Sequence, residues 1–222
     1  MIKLKPADRE RQLKFYTDNL EIYGYDPRSL GWTPDHRDVR FRIMEEIGDL
    51  DGCSLLDVGC GFGDFYGYLL NRGYSVRYTG IDINPRLVEI GRAKYPDAHF
   101  IVGDFEDIRF FGRFDWVFAS GIFNLRINNN KTFIESSLKR MHHLCSRGFY
   151  ADFLRSAFNY YDSLVYHQDP VDMLDFCLNL SARVTLRCDY MPSEFCIYVY
   201  RRDKSNRRQV YKEFDEKMRS NK

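Results

Sequence analysis

The run Leu55-Leu56-Asp57-Val58-Gly59-Cys60-Gly61-Phe62-Gly63-Asp64 joins a short apolar strand to three glycines at alternate positions. Glycine takes φ > 0 without strain and lets a ligand lie against bare backbone. The residues after it predict a helix over 64–72, whose free N–H groups and positive dipole end point into the same crevice. Strand, glycine loop and helix N-terminus in that order make a cradle for a nucleotide-type cofactor at the carboxyl end of a first parallel strand.

The glycine spacing bears on which nucleotide the cradle takes. A dinucleotide fingerprint starting at Gly59 would place its third glycine at position 64, which is Asp64. The pattern here is G-x-G-x-G, with Asp57 just upstream. A pyrophosphate needs bare N–H groups and no carboxylate beside them, whereas a ligand carrying an ammonium and a sulfonium gains from acidic oxygens. The run LLDVGCGFGDF resembles the first motif of the class I S-adenosylmethionine-dependent methyltransferases.

Three downstream stretches extend the resemblance. Arg77–Ile83 reads as a second strand with Asp82 19 residues after Gly63, the offset at which a carboxylate accepts ribose hydroxyls. Ala98–Phe105 reads as a third strand ending in Asp104-Phe105, which in the family it resembles would meet the adenine amino group and pack on the ring. Phe114–Asn124 reads as a fourth strand opening into Ser120-Gly121, small residues that leave room for ligand. The resemblance implies S-adenosylmethionine as cofactor, with S-adenosylhomocysteine as product and no metal. Its cofactor contacts would be Asp57, Gly59, Cys60, Gly61, Phe62, Gly63, Asp82, Ile83, Asp104, Phe105, Ser120 and Gly121. Arg40 would reach the cofactor carboxylate, with Trp32 and Arg37 beside it in a lid.

Each residue also has a plainer reading. Asp82 could be the N-cap of a helix opening at Asn84-Pro85, and Asp104 could simply end a strand. Asp57 is expected to orient the glycine loop through backbone hydrogen bonds. Cys60, with no base or second cysteine nearby, reads as a loop residue.

The acceptor side is less explicit. His167, in an aromatic segment after the fifth strand, is the candidate base, since its imidazole titrates near neutral pH; the alternative is a surface histidine. Tyr190, Glu194 and Asp152 are weaker options for the same task; Asn124, Arg126, Tyr160, Tyr166 and Tyr190 are candidate substrate contacts, though Arg126 could equally be a solvated loop cation. The fourth-strand turn, Ser-Gly-Ile-Phe-Asn, is unlike the Asn/Asp-Pro-Pro-Tyr turns of base-methylating enzymes. The resemblance therefore implies transfer of a methyl group to O, N or C of a small metabolite. A catalytically silent cofactor-binding partner subunit and an RNA- or protein-directed methyltransferase are the alternatives.

The elements that must hold these residues follow from hydrophobic patterning. Residues 1–53 form a helical preface, with Leu13, Tyr16, Leu20 and Tyr23 on one face of a first helix and Val39, Ile43 and Ile47 on a second, expected from Thr33-Pro34 to about Leu50. Residues 54–202 form the core. Short apolar strands alternate with helices as far as a fifth strand at Gly148–Asp152, the pattern of a parallel sheet with right-handed crossovers. Pro170–Leu180 reads as a helix, then Arg183–Tyr190 and Glu194–Arg201 as strands joined too tightly for a parallel crossover. The expected fold is α/β: a Rossmann-like, seven-stranded, mainly parallel sheet with a terminal antiparallel hairpin, helices on both faces and an N-terminal helical extension. Residues 203–222 read as a charged tail.

The 222 residues suffice for a single core, and a net charge of +1 gives no electrostatic pull toward nucleic acid or anionic membrane. The basic stretch at 201–208 reads as a solvated helix face. Six scattered cysteines make no C-x-x-C pair, and no run is long and apolar enough to span a bilayer. A soluble, cytoplasmic protein is expected, acting as monomer or homodimer on a small-molecule acceptor. Sixteen Tyr and 18 Phe exceed what such a chain usually carries, and some of them should line a pocket.

Overall fold

The computed structural model describes residues 4–156 and 163–201. Helix α1 (Pro6–Tyr23) leads through a 3₁₀ turn (Pro27–Leu30) to α2 (Pro34–Glu45). The core then runs β1 (Ser54–Val58), α3 (Asp64–Asn71), β2 (Arg77–Asp82), α4 (Pro85–Lys94), β3 (His99–Val102), β4 (Phe114–Ala119), α5 (Asn130–Leu144) and β5 (Cys145–Arg155). It closes with β6 (His167–Gln168), α6 (Pro170–Leu178), β7 (Arg183–Arg187) and β8 (Glu194–Tyr200). The tail at 203–222 and Tyr160 lie outside the described residues.

The strands take the order β3-β2-β1-β4-β5-β8-β7. Neighbours from β3 to β5 are parallel, and β8 runs antiparallel to both β5 and β7, as the six-residue Cys188–Ser193 connection between β7 and β8 requires; β7 ends at Arg187 rather than Tyr190. The two-residue β6 adds an eighth, short strand beside the end of β5, in parallel register with Leu154 and Arg155; it is too short to carry any alternation in the sequence. The second helix stops at Glu45 rather than near Leu50, and the fifth strand is longer than expected at both ends.

Both faces of the central strands are buried, so their side chains divide cleanly with period two. Leu56, Val58, Val117, Ala119, Phe149, Ala151 and Phe153 meet α5 and α6 on one face. Leu55, Trp116, Phe118, Tyr150, Cys196 and Tyr198 meet α2, α3 and α4 on the other. Val39 borders this second cluster and Ile43 and Ile47 are buried in it, as the helical stripe implies. Cys196 is buried opposite Arg187, and its thiol and that of Cys188 are free. Because β1 is flanked by β2 and β4, whose crossovers leave in opposite directions, a crevice opens at the carboxyl ends of β1 and β4.

Candidate functional site

Gly59, Gly61 and Gly63 all take positive φ, at 73°, 53° and 75°. The loop is folded by the Ile81 carbonyl, which accepts the N–H groups of Gly59 (2.8 Å) and Cys60 (3.1 Å). It is pinned further by Asp82, whose Oδ2 accepts Gly61 N–H at 3.0 Å. Asp57 therefore does not orient the loop as expected; its carboxylate accepts the Tyr78 hydroxyl at 2.5 Å beneath it. Gly63 is the left-handed N-cap of α3, and a Cβ there would fall 2.5 Å from Phe100.

The crevice wall contains Asp57, Gly59, Cys60, Gly61, Asp82, Ile83, Asp104, Phe105, Ser120 and Gly121 of the sequence-derived set. Phe62 turns its ring away, fully buried against Leu20 and Leu87. The N-cap of α4 is Asn84, whose Oδ1 accepts Arg86 N–H at 3.0 Å, so Asp82 is free of that duty. Asp104 turns the chain after β3 by accepting Glu106 N–H at 2.9 Å while still facing the crevice. Ser120 and Gly121 are held by the buried Asp152, which accepts the Ser120 hydroxyl, Gly121 N–H at 2.7 Å and the Tyr150 hydroxyl at 3.0 Å.

Four carboxylates, Asp57, Asp64, Asp82 and Asp104, line this crevice, and no Lys, Arg or His does so among the described residues. Burial raises the Asp57 carboxyl to about 7; the Tyr78 hydrogen bond opposes the rise, and the Asp82 and Asp152 charges add to it. Burial also raises Asp82, against the backbone N–H groups of Asn84, Gly61 and Ile83 that favour its anion. Asp64 rises by burial too, with Arg37 and the Tyr95 hydroxyl pulling it back; its Oδ1 collects the Tyr25 and Tyr95 hydroxyls and Lys94 Nζ. Such a wall repels a pyrophosphate and suits a ligand with positive centres.

Arg40 is buried and lies outside the wall. Glu194 holds it through Nε at 2.9 Å and through Nη2, Trp32 stacks on the guanidinium at 4.6 Å, and Nη1 has no partner among the described residues. Burial works against its charge, but the Glu194 and Asp152 carboxylates more than offset that. Trp32 is itself part of the crevice wall, packed over Gly121.

The acceptor-side expectations need correction. His167 sits on β6 opposite Leu154, away from the wall, because β6 hydrogen-bonds to the end of β5. Asn124 accepts Leu154 N–H through Oδ1 (3.3 Å) and Tyr166 N–H through its carbonyl (2.8 Å). Arg126 donates to the carbonyls of Ser163 (3.2 Å) and Val165 (2.9 Å). Both residues thus brace the segment before β6, and Tyr166 packs on the main core. Tyr190 lies on the Tyr150–Cys196 face, its hydroxyl buried without a partner among the described residues, but off the wall.

The sequence reading missed the roof. Leu4, Gln12 and Tyr16 line the crevice from α1, and Phe41, Met44, Ile122 and Phe133 complete its apolar part. The stripe that α1 turns inward is Asp8, Gln12, Tyr16 and Leu20. Its i, i+4 spacing was legible, but two of its members are polar.

Comparison with known proteins gives one answer. The family described as "Methyltransferase domain" matches residues 55–148. Rv1506c of Mycobacterium tuberculosis, a methyltransferase by name, is 34% identical over 70% of this chain and 98% of its own length. The chain belongs to the class I S-adenosylmethionine-dependent methyltransferases. It is an S-adenosylmethionine-dependent methyltransferase. The magnesium-protoporphyrin O-methyltransferase of Rhodobacter capsulatus is 38% identical, over 32% of this chain and 33% of its own. The fold is shared with magnesium protoporphyrin IX methyltransferase of Synechocystis with bound S-adenosylhomocysteine: TM-score 0.59, 15% identity, 88% of this chain and 94% of that one covered.

Proposed function

We propose that this methyltransferase carries a methyl group to an O, N or C atom of a small molecule with an apolar body. The observation that carries the reading is the split wall of the crevice. Its four carboxylates gather around the glycine loop and the ends of β2 and β3, while Trp32, Phe41, Met44, Ile122 and Phe133 form a carbon surface. The names of relatives agree with an apolar acceptor: one is a magnesium-protoporphyrin O-methyltransferase, another a demethylmenaquinone methyltransferase of Thermotoga maritima.

When bound, the donor supplies an electrophilic methyl on a sulfonium. The residues of this chain do the rest. Asp82 is placed for the ribose hydroxyls, Asp104 and Phe105 for the adenine, and Gly59 and Gly61 for close backbone approach. Arg40, behind the wall and held by Glu194, fixes Trp32 against the crevice. With no imidazole or amine on the described wall, orientation of the two reactants and exclusion of water carry the acceleration.

The test is an assay of cell extract with isotopically labelled methyl donor. A labelled, organic-extractable product of low mass is expected. Label appearing only in RNA or protein would overturn the small-molecule reading, and donor binding without any label would favour a silent partner subunit.

A further inference from the structure

A methyl acceptor that attacks through an O–H or N–H group must lose a proton, and the described wall of the crevice offers it no imidazole and no amine. One wall residue nevertheless leads to a carboxylate behind it. Ser120 follows β4 where Gly59 follows β1, since Ala119 pairs with Val58. Beside it, Ile122 closes over the loop, 2.1 Å from where a Cβ on Gly59 would stand, and Trp32 lies 3.1 Å from one on Gly121. Ser120 thus occupies the seam between the glycine loop assigned to the donor and the carbon surface assigned to the acceptor.

The Ser120 hydroxyl donates inward, to Asp152 Oδ2. A hydroxyl has one proton and two lone pairs, so Ser120 Oγ meets the crevice as an acceptor only. Asp152 is fully buried and off the wall, and its other neighbours also donate to it: Gly121 N–H to Oδ1 at 2.7 Å and the Tyr150 hydroxyl to Oδ2 at 3.0 Å. Arg40 is bonded to Glu194 instead, which leaves Asp152 without an ion-pair partner among the described residues. Holding the turn needs only the Gly121 bond. The Ser120 bond adds a line along which a proton can pass, because a hydroxyl exchanges its proton where an amide keeps its N–H.

We propose that Ser120 is a catalytic residue that takes the proton of the acceptor's O–H or N–H group, and that Asp152 is the positioning residue acting through it. The inference rests on the small-molecule reading and narrows it from O, N or C to a heteroatom bearing a proton. Ser120 Oγ receives the proton of the acceptor's O–H or N–H bond, and the electron pair left on that heteroatom forms the new bond to the methyl carbon. The pair of the broken C–S bond stays on sulfur, which becomes neutral. Ser120 passes its own proton to Asp152 Oδ2, and the line runs backward to water once the product has left.

Wild type, Ser120→Ala, Ser120→Thr and Asp152→Asn, each given labelled donor and the same cell extract, test this alongside calorimetry with S-adenosylhomocysteine. Ser120→Ala should lower the rate at saturating donor by about a hundred-fold or more, with the donor KM and S-adenosylhomocysteine affinity unchanged. Ser120→Thr, which keeps the hydroxyl, should recover most of the rate. Asp152→Asn should match Ser120→Ala, and the double variant should lose no more than either; if Asp152→Asn does not fold, the Ser120 variants decide. Hot hydriodic acid, which cleaves O- and N-methyl bonds and spares C-methyl, should release the label from the product. Wild-type rate in Ser120→Ala, or a loss confined to donor KM and S-adenosylhomocysteine affinity, would overturn the proposal, as would label that resists the acid. No labelled small product with the wild type would remove the small-molecule reading and this proposal with it.

Discussion

Asp57 and Asp82 sit within one loop of each other yet answer to different questions. Asp57 is fully enclosed and its carboxyl is raised to about 7 by burial, so near neutral pH it holds a proton about half the time. A positively charged donor favours the anion, so donor binding must strengthen as pH rises through 7. S-adenosylmethionine affinity measured by calorimetry should improve up to about ten-fold between pH 6 and pH 8, and Asp57→Asn should flatten the dependence. For the apo protein the sign reverses. The folded state keeps the Asp57 proton over a range, from about pH 4 to about pH 7, in which the unfolded chain has lost it, so this group's contribution to stability falls as pH rises across that window. Asp57→Asn should therefore raise the melting temperature of the apo protein at pH 8 and leave it unchanged at pH 4. Asp82 has its backbone partners already, and its role is read by ligand affinity. Asp82→Ala should weaken S-adenosylhomocysteine binding ten-fold or more, about 1.4 kcal/mol; equal affinity would mark it as a loop brace alone.

At the scale of elements, α2 and β8 are joined by the Arg40–Glu194 pair, both side chains about 95% buried. Removing one member of such a pair strands a charge where water cannot reach it. Glu194→Ala should cost on the order of 3–5 kcal/mol in chemical denaturation. The double variant Arg40→Met, Glu194→Leu should recover most of that stability and bind S-adenosylhomocysteine about as the wild type does, because packing can replace a pair that lies behind the wall. Stability regained without affinity would overturn this and put Arg40 in contact with the ligand. These elements were unevenly legible in the sequence. The parallel strands and the glycine loop declared themselves because strands buried on both faces become unbroken apolar runs, and because only glycine tolerates the loop's φ values. The role of α1 did not, since the side chains it buries, Asp8 and Gln12 among them, face a polar crevice rather than a core. Asn124 and Arg126 misled for the converse reason. Their position after β4 suits ligand contact, but the short bridge between Leu125 and Val165 draws both into bracing backbone carbonyls and amides. His167 was ambiguous in kind, because a two-residue strand leaves no periodic trace.

The molecule as a whole turns these local features into one measurable property. The crevice we assign to the donor is assembled from α1, the glycine loop and the ends of β1, β2, β3 and β4, so a ligand that fills it ties the N-terminal extension to the sheet. No helix among the described residues is long and apolar enough to cross a membrane. A ligand at 100 times its Kd stabilises the folded state by about 2.7 kcal/mol. For a chain of this length, each 1 kcal/mol moves the melting temperature by roughly 2–4 °C. S-adenosylhomocysteine should therefore raise it by roughly 5–10 °C, and Asp82→Ala should need about ten-fold more ligand for the same rise. NAD at the same concentration should give none, since its pyrophosphate would meet four carboxylates and no cation on the described wall. A shift with NAD equal to that with S-adenosylhomocysteine would mean that the crevice reads adenosine alone. The carboxylates would then have no part in choosing an ammonium-bearing amino-acid end over a pyrophosphate.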